Sequence, residues 1–125
     1  MGRIRQMIKV NGRDCWTLFD TGARNTYVIR EVGQLLTTSK LPQPFRTSLG
    51  GGVKETDTSA LLNAEVDGHL ISTHAMVIDK LGKDEDGKQI EILFGALAMQ
   101  QWGIRPVPDL EQLDMSRYSN EFLEF

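Results

Sequence analysis

Asn11-Gly12 stands between two runs in which apolar and polar residues alternate, residues 3–10 and 14–20. A two-residue hairpin turn needs positive φ at both central positions, which Asn and Gly adopt at low cost, so the two runs are expected to pair antiparallel. In the first run Ile4, Ile8 and Val10 share a face that Gln6 interrupts, and Arg3, Arg5, Met7 and Lys9 fall on the other. In the second, Trp16, Leu18 and Asp20 share one parity and Cys15, Thr17 and Phe19 the other. Both faces carry apolar residues, as expected of a strand buried on both sides. This strand runs into a carboxylate, Asp20, and turns at once through Thr21-Gly22. Such an Asp either caps an ordinary strand end or is held where a reaction happens.

The rest of the chain continues in the same style. "YVIREVGQLL" reads as a strand followed by a short helix, and "LPQPF", with two prolines, as extended chain away from a sheet centre. Gly50-Gly51-Gly52 separates two extended runs, and Asp67-Gly68 is a second turn signal before "HLISTHAMVI". "KDEDGK" reads as a solvated turn and "IEILF" as a short strand ended by Gly95. Ala96 to Trp102 reads as a short helix stopped by Gly103. "RPVPDLEQLD" reads as irregular and "EFLEF" as a last strand. Short strands with Gly and Asn-Gly turns and little helix indicate a small β-barrel or sandwich.

With 125 residues the chain is expected to be one domain, 1–125. Hydrophobic residues make up 40% and charged residues 25%, which excludes the disordered class. A net charge of −3 with no Lys/Arg run argues against a nucleic-acid partner. No stretch approaches the ~18 apolar residues of a membrane span, and no signal-peptide pattern is seen, so the expectation is a cytoplasmic protein without a membrane partner. The single cysteine, Cys15, allows no intrachain disulfide and is read as a buried small hydrophobe. His69 and His74 fall on opposite faces of one strand, which suits no shared metal site.

Asp20-Thr21-Gly22-Ala23 resembles the active-site signature of the aspartic proteases. It has four companions in order: an apolar strand leading into it, a Gly-rich tip at Gly50-Gly51-Gly52, a strand ending Leu93-Phe94-Gly95, and the short helix after that Gly. The order over roughly residues 4 to 104 is similar to the retroviral-type (retropepsin-like) family, and the C-terminal segment to a cellular, stand-alone member. The resemblance implies an all-β fold: a small closed β-barrel of the retropepsin type with one short helix after the late Gly. It also implies an aspartic endopeptidase that hydrolyses peptide bonds in peptide or protein substrates, without a metal or an organic cofactor.

Hydrolysis of an amide needs a water deprotonated as it attacks and a nitrogen protonated as it leaves. Two carboxylates sharing one proton do both jobs. At ~3 Å and an effective dielectric of ~20, two full charges repel by roughly 5 kcal/mol, so one stays protonated. The chain holds no second D-[ST]-G. A catalytic Asp20 therefore needs the Asp20 of a second copy, and a two-fold homodimer supplies it. The resemblance implies that Thr21 donates across the axis to partner backbone and that Gly22 admits substrate backbone. Ala23, Arg24 and Asn25 would line the substrate site. Leu49, Gly50, Gly51, Gly52 and Val53 would form a flap that closes over an extended peptide. Relatives carry acidic residues after the signature and an Arg with a polar partner after the late Gly. This chain has Arg24, Asn25, Ala96 and Leu97 there, so the usual ion pair between those segments cannot form. A non-catalytic β-barrel module that binds peptide or protein in the same groove is the alternative reading.

Overall fold

The computed structural model describes residues 2–124. Asn11 and Gly12 take φ of 49° and 79°. They join β1 (Arg3–Val10) to β2 (Arg13–Asp20) in an unbroken antiparallel ladder from Val10↔Arg13 to Arg3↔Asp20. The same device recurs at Asp67-Gly68, with φ of 49° and 80°, between β5 (Gly52–Val66) and β6 (His69–Ile78). Between these hairpins lie β3 (Tyr27–Ile29), the single-turn α1 (Arg30–Gly33) and β4 (Thr37–Leu49). After β6 come β7 (Ile92–Phe94), α2 (Ala96–Trp102), β8 (Arg105–Val107), a 3₁₀ turn and β9 (Gln112–Asp114).

Seven strands form one sheet in the order β1-β2-β7-β3-β6-β5-β4. The pair Lys9↔Glu65 also joins β1 to β5, which turns six of them into a ring and leaves β4 outside it. The outer position of β4 follows from its sequence. Its pairing with β5 is interrupted between Lys40 and Phe45, across Leu41-Pro42-Gln43-Pro44, and a proline cannot donate to a ladder on a central strand. The architecture is all-β, with α2 after Gly95 as the one helix longer than a turn among the described residues.

The main core gathers Ile8, Val10, Phe19, Leu62, Ile92 and Phe94, with the Phe19 and Phe94 ring centroids 4.8 Å apart. A second, smaller cluster holds Leu18, Tyr27, Ile78, Ile90 and Leu93. β2 serves both: Cys15 and Phe19 enter the main core while Leu18 enters the second cluster. The two-sided burial read from the sequence is thus explained by two cores, one on each face. Burial, reinforced by Glu91, pushes the Cys15 thiol up to about 11, so it stays protonated and inert at neutral pH.

Three sequence expectations do not hold. Residues 121–124 form no strand, and Phe122 and Leu123 are exposed; Phe125 lies outside the described residues. Strands form instead in the stretch read as irregular, where β8 pairs with β9. Pro106 and Pro108 hid the alternation there. Pro108 in fact starts the 3₁₀ turn (Pro108–Leu110) that joins the two strands, and an Arg105–Asp114 ion pair at 2.8 Å closes the open end. The third concerns "KDEDGK", which is not wholly solvated. The Asp84 side chain is 3% exposed and accepts from the Trp16 indole at 2.8 Å and from the Asp86 and Lys88 amides at 2.9 Å. Arg5 Nη1 lies 3.3 Å away. Lys88 Nζ sits 4.0 Å above the Trp16 ring. One buried carboxylate therefore folds the loop and pins it to β1 and β2.

Burial alone would raise the pKa of Asp84, but the hydrogen bonds from Lys88, Trp16 and Asp86 and the charge of Arg5 outweigh it and hold the carboxyl below its usual range. A depressed folded pKa stabilises the fold above the unfolded value of ~3.9, and that contribution is lost as pH falls below it. Asp84→Asn is expected to lower stability at pH 6 and to flatten the acid limb between pH 4 and 2, measured by urea unfolding. An unchanged limb would contradict this role.

Candidate active site

β2 and β7 run parallel, with Leu18↔Leu93 and Phe19↔Phe94 in register. The next residue of each, Asp20 and Gly95, therefore arrives at the same edge of the sheet. Side chains alternate along a strand, so Asp20 shares the face of Leu18 and Trp16 rather than that of Phe19. That face carries the second cluster, and Ala23 and Leu49 pack against it. The carboxylate thus ends an apolar floor that the tip of the β4–β5 hairpin covers.

The loop from Asp20 to Thr26 is held at nearly every step. Ala23 N–H donates to the Asp20 carbonyl at 3.1 Å, and Gly22 N–H to Asp20 Oδ1 at 2.8 Å. Thr21 N–H donates to the Gly2 carbonyl at 2.9 Å. Gly2 N–H donates to Thr21 Oγ1, also at 2.9 Å. Within the single chain the Thr21 hydroxyl is therefore bonded to its own β1 end. The second half of the loop rests on α2 and β6. Ala96 N–H reaches the Ala23 carbonyl at 2.7 Å and Leu97 N–H the Arg24 carbonyl at 3.1 Å. Gly95 N–H reaches Thr26 Oγ1 at 3.0 Å, and Met76 N–H the Thr26 carbonyl at 3.0 Å. The second half of the loop is thus held by the main-chain N–H groups of Met76, Gly95, Ala96 and Leu97.

Gly95 permits this contact. A Cβ there would lie 2.2 Å from the Asn25 carbonyl oxygen and 2.9 Å from the Arg24 carbonyl carbon. No side chain fits, which is why an apolar strand must end in glycine at this point.

Asp20 is 16% exposed at its side chain, and its Oδ2 faces Arg3 Nε at 3.5 Å. Thr21 and Gly22 are exposed. The tip is a two-residue turn: Gly50 and Gly51 take φ of 58° and 83° while Leu49 pairs with Gly52. Gly52 is the first residue of β5 rather than part of the turn. Leu49 turns inward onto the second cluster. Val53 pairs with Ser48, on the other face of the hairpin, and is 62% exposed. The flap is also tied to the floor by a 2.8 Å hydrogen bond between the Tyr27 and Thr47 hydroxyls. Arg24 and Asn25 line a cavity of about 580 Å³ between the loop, β6 and α2.

Arg3, Thr26, Tyr27, Thr47 and the packing role of Gly95 escaped the sequence reading. Arg3 was within reach: counting the ladder out from Asn11-Gly12 sets it opposite Asp20. The Tyr27–Thr47 pair joins residues distant in sequence, and no local pattern marks it.

A family model described as aspartyl protease matches residues 7–97, a span that includes the Asp20 loop, the flap and Gly95. The chain belongs to the aspartyl protease family. Two solved structures resemble this aspartyl protease chain in fold. The retroviral protease-like domain of Ddi1 from Leishmania major superposes with a TM-score of 0.64 at 14% identity, covering 94% of this chain and 90% of that one. EIAV protease, complexed with the inhibitor HBY-793, superposes with a TM-score of 0.56 at 21% identity, covering 84% and 92% respectively. No curated protein shows significant sequence similarity to the chain. No helix among the described residues is long and apolar enough to cross a membrane.

Two outcomes follow for this aspartyl protease chain. Gly95→Ala should cost about 3 kcal/mol of stability, since the new methyl overlaps backbone that is itself hydrogen-bonded. Urea unfolding checks it, and a loss under 1 kcal/mol would show that the loop yields easily. Tyr27→Phe should loosen the flap by about 1 kcal/mol, seen as roughly fivefold faster amide exchange over residues 46–54 with the rest of the sheet unchanged.

Proposed function

We propose that this chain is an aspartic endopeptidase whose active site is completed when two copies meet across a two-fold axis. The observation that carries the reading is the placement of Asp20. It ends a two-sided buried strand, faces the apolar floor under the flap, and sits in a loop fixed by Gly95. Thr21 and Gly22 beside it are exposed, which leaves room for the same loop of a second chain. The family match to residues 7–97 supports it.

In the dimer the two Asp20 carboxyls share a proton and hold a water between them. The ionised one takes a proton from the water as its oxygen attacks the scissile carbonyl. The protonated one donates to the carbonyl oxygen, giving a neutral tetrahedral diol. The carboxyl that took the water's proton then gives it to the nitrogen as the C–N bond breaks, and the other takes a proton from a diol hydroxyl as the new carboxyl group forms, so the pair returns to its single shared proton. No step draws on a metal or an organic cofactor. The substrate lies extended, with the flap supplying main-chain hydrogen bonds and excluding water. The Tyr27–Thr47 bond and the inward Leu49 would release to admit it.

One observation favours a second reading, a peptide-binding module without turnover. Arg3 stands against Asp20 Oδ2 at 3.5 Å. The two readings separate in one experiment. Asp20→Asn should reduce cleavage of denatured protein by roughly 10³-fold or more, while circular dichroism and sedimentation stay as in wild type. A partly exposed ion pair contributes only ~0–1 kcal/mol, so its loss should leave the fold intact. Equal turnover in mutant and wild type would sink the assignment, and binding without turnover in either would favour the module.

A further inference from the structure

We infer that the cavity beside the active-site loop is a subsite for a substrate carboxylate, an Asp or Glu side chain two to four residues from the scissile bond, and that Arg24 selects it. The inference rests on the peptidase reading above and names its substrate class.

The cavity of about 580 Å³ lies between the second half of the Asp20 loop, the proline-interrupted root of the flap, β6 and the start of α2. Its polar lining includes Arg24, His74, Ser59, Thr73, Asn25 and Gln101. No carboxylate lines it, although the chain carries 17 acidic residues against 14 Lys and Arg. Arg3, Arg5, Arg13 and Arg105 each meet a carboxylate of their own chain. Arg24 meets none among the described residues. Arg30, Arg46 and Arg117 likewise meet none among the described residues, and Arg30 shares its cavity with Asp57 and Asp79. Arg24 is thus a cation with a carboxylate-free cavity before it.

Its backbone is fixed, since the Arg24 carbonyl accepts Leu97 N–H at 3.1 Å, and only the side chain is free to adapt. It stands four positions beyond Asp20, which limits their Cα distance to ~14 Å. An extended peptide advances ~3.3 Å per residue. A side chain two to four positions from the scissile bond therefore passes ~7–13 Å from Asp20, a span that falls inside that limit. The planar guanidinium binds a carboxylate through two parallel N–H bonds, and Leu41 and Leu97 give the cavity apolar wall beside it. The net charge of −3 repels an acidic peptide at a distance. The selection therefore acts by contact and should appear in KM.

The test uses the full chain and a randomised library of N-acetylated, C-amidated peptides, with cleavage sites read by mass spectrometry. Wild type should enrich Asp or Glu at one position within four residues of the cut. Matched peptides with Glu or Gln there should then differ about tenfold in kcat/KM, or ~1.4 kcal/mol, mostly in KM. Arg24→Glu should move the enrichment to Lys and Arg, and Arg24→Lys should keep a weaker acidic preference. Repeating the assay with free C-termini separates the two sources of carboxylate: a preference that appears only there overturns the side-chain assignment. Cleavage with no acidic preference, or with one that Arg24→Glu leaves unchanged, overturns the inference and leaves the peptidase reading standing. No cleavage of any library member by wild type overturns the peptidase reading and this inference with it.

Discussion

The parallel register of β2 against β7 is the constraint on which the rest of this molecule depends. Phe19 packs against Phe94 with tilted rings in the main core, and that contact, with Leu18↔Leu93 beside it, fixes how far each strand runs. Asp20 and Gly95 then emerge side by side. The loop after Asp20 can be short only because Gly95 lets it lie directly on the strand end. A carboxylate is in this way placed by hydrophobic packing two residues away, and the polar atoms near it need only hold the loop, not build it.

The two faces of β2 divide the work. One face anchors the main core, and the other supplies a small apolar floor that is closed from above by Leu49. The floor is rigid, since backbone bonds to α2 and β6 fix the loop from Ala23 to Thr26. The roof is held by less: one hydroxyl pair, one leucine and the Lys54–Asp79 ion pair. A stiff floor under a weakly held roof suits a site that must admit an extended chain and then exclude water. The Asp84 network extends the stiff part, since it binds the loop after Gly82 to Trp16 and Arg5 on the neighbouring strands.

Much of this was legible in the residues. Asn11-Gly12 and Asp67-Gly68 carried their hairpins because the turn chemistry is local, and α2 spans Ala96–Trp102 as the helix formers and Gly103 indicate. The "DTGA" turn and the late Gly were visible as a pattern, but not the reason they belong together, which is that the Asn25 carbonyl lies where a side chain at position 95 would stand, some seventy residues along the chain. The β8–β9 hairpin was missed because its prolines mimic irregular chain, while "EFLEF" has strand composition and no strand beside it. Asp84 was missed for a related reason: a charged run looks solvated until an indole and three backbone or guanidinium groups converge on one member. Local chemistry was readable, and convergence of distant segments was not.

The central claim is that each chain supplies half of a catalytic pair. Wild-type and Asp20→Asn chains, unfolded together and refolded at fixed total concentration, test it most directly. If the dyad needs one Asp20 from each copy, an equal mixture retains about a quarter of the wild-type rate, the share of dimers with two intact chains. A mixture that retains half, falling in proportion to the wild-type fraction, would show that each chain acts alone and would contradict the account.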